Sequence, residues 1–116
     1  MPGLKYDGEK LRMDLIPQDS LRDLAEVYTM GAKKYADENW REGIEWKRIY
    51  GAMLRHLSLW ILGYDTDVES GLNHLAHVAW GAFTLLNYSR THRELDNRPN
   101  RSGNPGVDAT PGPEKS

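Results

Sequence analysis

Residues 46–93 read WKRIYGAMLRHLSLWILGYDTDVESGLNHLAHVAWGAFTLLNYSRTHR, and this stretch decides the fold. Its apolar residues recur at the three- and four-residue spacing of helices, with no strand-like alternation. Trp46, Ile49, Met53, Leu57, Trp60 and Ile61 form the apolar face of a helix over 46–62, which Gly63 ends. Tyr64-Asp65-Thr66-Asp67-Val68 connects it to a longer helix over 68–93. On that helix Leu72, Leu75, Ala79, Phe83 and Leu86 share one face, Val78, Gly81 and Leu85 a second, and Trp80 with Tyr88 a third. A helix apolar on nearly every side is buried on nearly every side. The small residues Ala76, Ala79, Gly81 and Ala82 also permit close helix approach. Two short partner helices cannot wrap such a surface, so the expectation is a helical homo-oligomer whose other subunits cover it.

Upstream, Leu21, Leu24, Val27, Tyr28, Gly31 and Tyr35 mark a first helix over 18–35. Pro17 sits where a first-turn proline would, and Ser20 with Asp23 resembles a capping box. Residues 36–45 read as a polar loop holding Trp40 and Gly43, and residues 1–16 as an irregular arm. The class is all-α, with a folded domain over 1–96. From Asn97 to Ser116 the only large aliphatic residue is Val107, set among prolines, glycines and polar residues. Such a segment buries too little apolar area to offset its ordering entropy, so it reads as a disordered tail.

The whole chain of 116 residues fits one soluble domain. No apolar stretch approaches the ~20 residues that span a bilayer, and no secretory leader pattern is present. The expected location is the cytoplasm (that of the host cell if a phage encodes the chain), with no membrane partner. Zero cysteines exclude disulfides, thiolate-bound zinc, iron–sulfur clusters and cysteine nucleophiles. The net charge of −2 argues against binding a nucleic-acid polymer through an overall cationic field. It leaves nucleotides open, because these need only a few local cations.

The densest polar cluster runs from His56 through Asp65, Asp67 and Glu69 to His74-x-x-His77. Helix positions three apart share a face, so His74 and His77 can address one site. Carboxylates with some imidazole and no thiolate fit Mg2+, Mn2+ or Co2+ better than structural zinc. Each residue also has a plain structural reading. Thr66-x-x-Glu69 is a capping box, acids complement a helix start, and the histidines suit an interface. A second group is cationic and aromatic: Lys33, Lys34 and Tyr35, then Asn39 and Trp40, with Arg55 beside His56 and Lys5, Lys10 and Arg12 on the arm. Phosphates call for Lys or Arg, and a purine calls for a flat apolar surface with a few edge hydrogen bonds.

Together, the strings KYDGEKLRMDLIP, VYTMGAKKY, NW, YGAMLRHL and GYDTDVESGLNHLAHVAW resemble the phage dATP/dGTP diphosphohydrolase family over about residues 4–96. That family is similar to a compact branch of the MazG-type all-α pyrophosphatases, so the resemblance implies a compact MazG-like bundle. It implies hydrolysis of dATP or dGTP to the monophosphate and pyrophosphate, with Mg2+ or Mn2+ as cofactor, and a role in reshaping a phage's nucleotide pool. It also implies dimers or tetramers. MazG-type sites use acidic pairs on successive helices, whereas here His56 and His74-x-x-His77 occupy the corresponding hairpin. Either imidazoles replace part of the carboxylate shell, or the ligands come mainly from the turn.

The expected assignment is metal binding by Asp67, Glu69, His74 and His77, with His56, Asp65 and Glu69 as catalytic groups. Lys33, Lys34 and Arg55 would offset phosphate charge, Tyr35 and Trp40 would stack on the base, and Asn39 would read its edge. Lys5, Lys10 and Arg12 would reach the nucleotide from the arm. Two other readings are an HD-type hydrolase that releases triphosphate and a non-enzymatic helical interaction module. The first lacks any His-Asp dipeptide in this chain. The second leaves the clustered ligand-type residues without a role.

Overall fold

The computed structural model describes residues 10–100. Among them there are three long helices, α1 (Gln18–Lys34), α2 (Trp46–Ile61) and α3 (His74–Thr91). Short 3-10 turns cover Met13–Leu15, Asn39–Glu42 and Arg93–Leu95. The all-α class expected from periodicity is therefore the class observed. No described helix is long and apolar enough to cross a membrane.

α1 starts one residue after Pro17, whose fixed φ of −62° suits a helix entry. The Ser20–Asp23 capping box is not used, because both residues already lie inside the helix. Asp19 in the first turn and Lys33 with Lys34 in the last complement the helix dipole. At the start of α2, a free backbone N–H finds a partner from the far end of the chain: Lys47 N donates to Asn97 Oδ1 at 3.0 Å. The fold thus engages residues assigned by composition to the tail. Next to Asn97, Arg98 pairs with buried Asp96 at 2.8 Å and lies 4.8 Å over the Trp46 ring. Residues 101–116 lie outside the described residues.

The main departure is the start of α3, expected at 68 and observed at His74. Thr66-x-x-Glu69 does not cap it. Asn73 does, accepting from Leu75 N at 2.8 Å through its side chain. Upstream, Asp67 Oδ2 accepts from Ser70 N at 2.9 Å, and Gly71 takes φ +78°. These local bonds offer the backbone an alternative to helix, and they win. A lone bridge between Thr66 and Asn73, with His74 N donating to Asp65 O at 2.8 Å, closes the turn.

α3 packs chiefly on α2 and also on α1. The core gathers Trp46, Ile49 and fully buried Tyr88, flanked by Trp40, Ile44, Met53, Trp80, Leu85 and Leu95. Gly81 permits the α2–α3 approach, since a Cβ there would press into Met53 and come within 3.3 Å of Ile49 Cγ2. Two expected faces are corrected. On α2, His56 is buried while Trp60 and Ile61 are exposed, because both belong to the last turn. On α3, the buried side is His74, Ala76, Gly81, Thr84 and Tyr88. The side carrying Leu75, Phe83 and Leu86 stays open to solvent in a single chain.

Candidate functional site

Three side chains from three segments converge beside the α2–α3 turn. His56 comes from the third turn of α2, Asp67 from the connector and His74 from the first position of α3. All three are buried, and each offers a ligand-type atom within 4.8 Å of the others. His56 Nδ1 and His74 Nδ1 lie 2.9 Å apart, so one ring donates a hydrogen and the other accepts with a lone pair. His77 stacks flat on His56, with centroids 4.4 Å apart and an interplanar angle of 4°. Its Nε2 is 2.8 Å from Ser70 Oγ and 3.8 Å from Asp67 Oδ2.

The surroundings keep the His56 and His77 imidazoles neutral and the Asp67 carboxylate charged. Burial, then the neighbouring His77 and Arg55, pushes the His56 imidazole down to about 4. Burial lowers His77 as well, against the pull of Asp67. For Asp67, burial works to raise the carboxyl, but the hydrogen bonds from Ser70 outweigh it and hold it below its ordinary value. A neutral imidazole beside an ionised carboxylate is the protonation state a divalent cation requires, and an ion would take the place of the hydrogen that His56 and His74 share. The donor set of two nitrogens and one oxygen therefore fits such an ion.

The other residues singled out in the sequence fall into separate places. Glu69 is exposed on the turn, close enough to act electrostatically on His77. The Asp65 side chain is exposed, and its carbonyl caps His74. Arg55 is exposed on α2 next to His56. Lys33 and Lys34 are exposed at the end of α1, with Lys34 Nζ 5.4 Å from the Tyr35 ring centroid. Lys10 and Arg12 are exposed, and Arg12 is paired with Asp14 at 2.8 Å. Lys5 lies outside the described residues.

Tyr35, Asn39 and Trp40 meet around one cavity of about 230 Å³ between the end of α1, the Asn39–Glu42 turn and α3. Tyr28, Gly31, Trp80 and His77 also line it. His77 therefore belongs both to the cavity wall and to the cluster of ionisable groups. The volume is below the roughly 300–1,000 Å³ of pockets that enclose drug-sized ligands, so it suits a planar base rather than a whole nucleotide. Trp40 is held by an offset stack on Tyr88 at 6.5 Å, by the edge of Tyr28 at 5.5 Å and by the Arg41 guanidinium 4.4 Å above it.

Sequence reasoning missed Ser70, Tyr28 and Trp80 as site residues. The Asp67-x-x-Ser70-Gly71 spacing was the available signal for Ser70, because it is a turn pattern as much as a helix start. Tyr28 and Trp80 looked like ordinary core positions. Tyr28 does anchor there, its hydroxyl 2.7 Å from that of buried Thr84.

Against known proteins, the family described as dATP/dGTP diphosphohydrolase, N-terminal, matches residues 1–98. A curated relative named dATP/dGTP diphosphohydrolase, from Salmonella phage PMBT28, is 36% identical over 110 residues. The match covers 92% of this chain and 37% of the relative, so the chain spans well under half of that protein's length. No solved structure matches.

Proposed function

The chain belongs to the dATP/dGTP diphosphohydrolase family, and we propose that it hydrolyses purine deoxynucleoside triphosphates, dATP and dGTP, to the monophosphate and pyrophosphate. The observation that carries this reading is His77, which joins the flat-walled cavity to the His56–Asp67–His74 cluster. A base seated against Tyr35 and Trp40, its edge toward Asn39, would place its phosphates on the side of the histidines. Water adds to the α-phosphorus, the bond to the bridging oxygen breaks, and pyrophosphate leaves with that electron pair. The water's proton passes to an exposed carboxylate on the turn, Glu69 or Asp65, and on to solvent. Arg55, Lys33 and Lys34 offset the negative charge on the departing pyrophosphate.

His56, Asp67 and His74, with His77 beside them, are the residues to hold a divalent cation. When bound, such an ion would gather phosphate oxygens and acidify a water molecule. Two imidazoles next to one carboxylate form a donor set that favours Mn2+ over Mg2+, whose preferred partners are oxygens. Asp67, fixed by Ser70, presents a charged oxygen to that position. Glu69 stands outside this set, exposed on the turn. We also read the exposed Leu75, Phe83 and Leu86 side of α3 as the contact between copies of the chain.

The test is a panel of deoxy- and ribonucleoside triphosphates with Mn2+ or Mg2+, with products separated by chromatography. Pyrophosphate and a purine deoxynucleoside monophosphate support the reading. Free triphosphate would indicate an HD-type reaction, and no turnover of any nucleotide would leave a helical interaction module.

A further inference from the structure

The cavity's outer wall, Asn39 and Trp40, sits on a turn of four residues between two loops. That turn is tied to the end of α3 through two of its carbonyls. The Tyr88 hydroxyl donates to Trp40 O. His92 Nε2 donates to Arg41 O at 2.6 Å. The other nitrogen of the same ring, His92 Nδ1, lies 2.9 Å from Glu94 Oε2. A peptide carbonyl and an ionised carboxylate can only accept, so both bonds exist together only when both ring nitrogens carry hydrogen. The neutral ring, with one N–H, must give up one of them. The fit is close on this side. Gly43, at φ +108°, leaves no room for a Cβ, which would fall 3.3 Å from His92 Cε1 and closer still to Leu95 Cδ1.

We propose that His92 is a positioning residue: as an imidazolium it fixes the Asn39–Glu42 turn in the shape that forms the cavity, and so sets the affinity for a purine base. This rests on reading the cavity as the base pocket.

The charges around the ring are accounted for. Glu94 is the acid in contact, and its hydrogen bond, followed by that to the Arg41 carbonyl, raises His92 above its ordinary value. From the turn packed against it, Arg41 directs its guanidinium to the Trp40 ring and to Glu38 at 2.9 Å, while Glu42 is exposed. On its own side, Arg93 reaches back to Ser89 O, and Tyr88 presents an uncharged ring edge-on at 5.1 Å. Because folding raises this group, the pair of hydrogen bonds is intact at low pH, and one of them is lost as pH rises through the folded value.

The experiment uses deoxyadenosine, which carries no phosphate and makes no demand on the histidine cluster. Its affinity is followed by quenching of tryptophan fluorescence from about pH 6 to about pH 9. Hydrogen exchange of the Trp40–Gly43 amides without nucleoside is the second readout. For the wild-type chain, affinity should fall about fivefold across the titration, the worth of one ordinary hydrogen bond. Exchange at the turn should quicken over the same range. His92→Gln should bind about fivefold more weakly at the acid end and show no transition. Glu94→Gln should keep the transition but move it to lower pH, which loss of packing alone would not do. Wild-type affinity and an unaltered profile in His92→Gln would overturn the proposal. If no variant binds deoxyadenosine while exchange at the turn still follows His92, the base-pocket reading fails and the clamp stands.

Discussion

His77 stacks on His56 with the two rings nearly parallel, 4.4 Å between centroids, and the same His77 forms part of the cavity wall. One imidazole thus links an aromatic-walled pocket to a buried pair of histidines and a carboxylate. If that cluster holds a divalent ion, Mn2+ binds the folded state and not the unfolded one. It should raise Tm by roughly 10 °C at about 100 times its Kd. His74→Ala should abolish the increment, whatever its effect on the baseline. Differential scanning fluorimetry with and without Mn2+ measures both.

Tyr35 is well exposed and contributes little to the core, yet it lines the cavity. Tyr35→Ala should therefore leave Tm nearly unchanged. It should raise KM for a purine deoxynucleoside triphosphate about tenfold with kcat little affected, as loss of one stacking partner would. Steady-state kinetics separates the two constants.

Gly81 tests the packing on which the site depends. Gly81→Ala drives a methyl group into Met53 at the α2–α3 contact. Overpacking of this kind costs about 1–3 kcal/mol, partly relieved by rotation of the flexible Met53 side chain. Urea unfolding should show a lower midpoint with an unchanged slope.

The three helices were legible because their apolar periodicity is long and uninterrupted, and α1 and α2 end within a residue of the expected positions. The start of α3 was not, because the same short segment offers two caps. Thr66-x-x-Glu69 and Asn73 are both sound N-terminal signals, and only the Asp67–Ser70 bond with the left-handed Gly71 decides between them. That choice also decides which acid turns inward. In sequence Asp65, Asp67 and Glu69 are equivalent, but in the folded turn Asp67 alone of the three is buried. Tyr35, Asn39 and Trp40 were readable as a group because they lie close in the chain. Their meeting with His77 depends on the α1–α3 packing, which no local pattern encodes.

Acid should destabilise the chain through Asp96. The Arg98 hydrogen bond holds this buried carboxyl at about 2, against 3.8 for the free group. A depressed carboxyl contributes stability above its unfolded value and loses it as pH falls through the folded one. The loss should therefore run from about pH 4 to about pH 2, and Asp96→Asn should flatten that part of the profile. Thermal melts across this range check it.

The open side of α3 predicts association. Phe83 is 56% exposed in a single chain. Phe83→Asp should leave the helix content intact and shift the chain to monomer mass in light scattering, since a buried unpaired charge opposes docking.

The most direct test of the account compares dGTP hydrolysis in Mn2+ by the wild-type chain and by Asp67→Asn, which keeps the shape and a hydrogen-bond acceptor for Ser70 but removes the charge. The wild type should give dGMP and pyrophosphate, and the variant a rate slower by about 100-fold or more at equal helix content. Equal rates from the two proteins, or release of intact triphosphate, would contradict it.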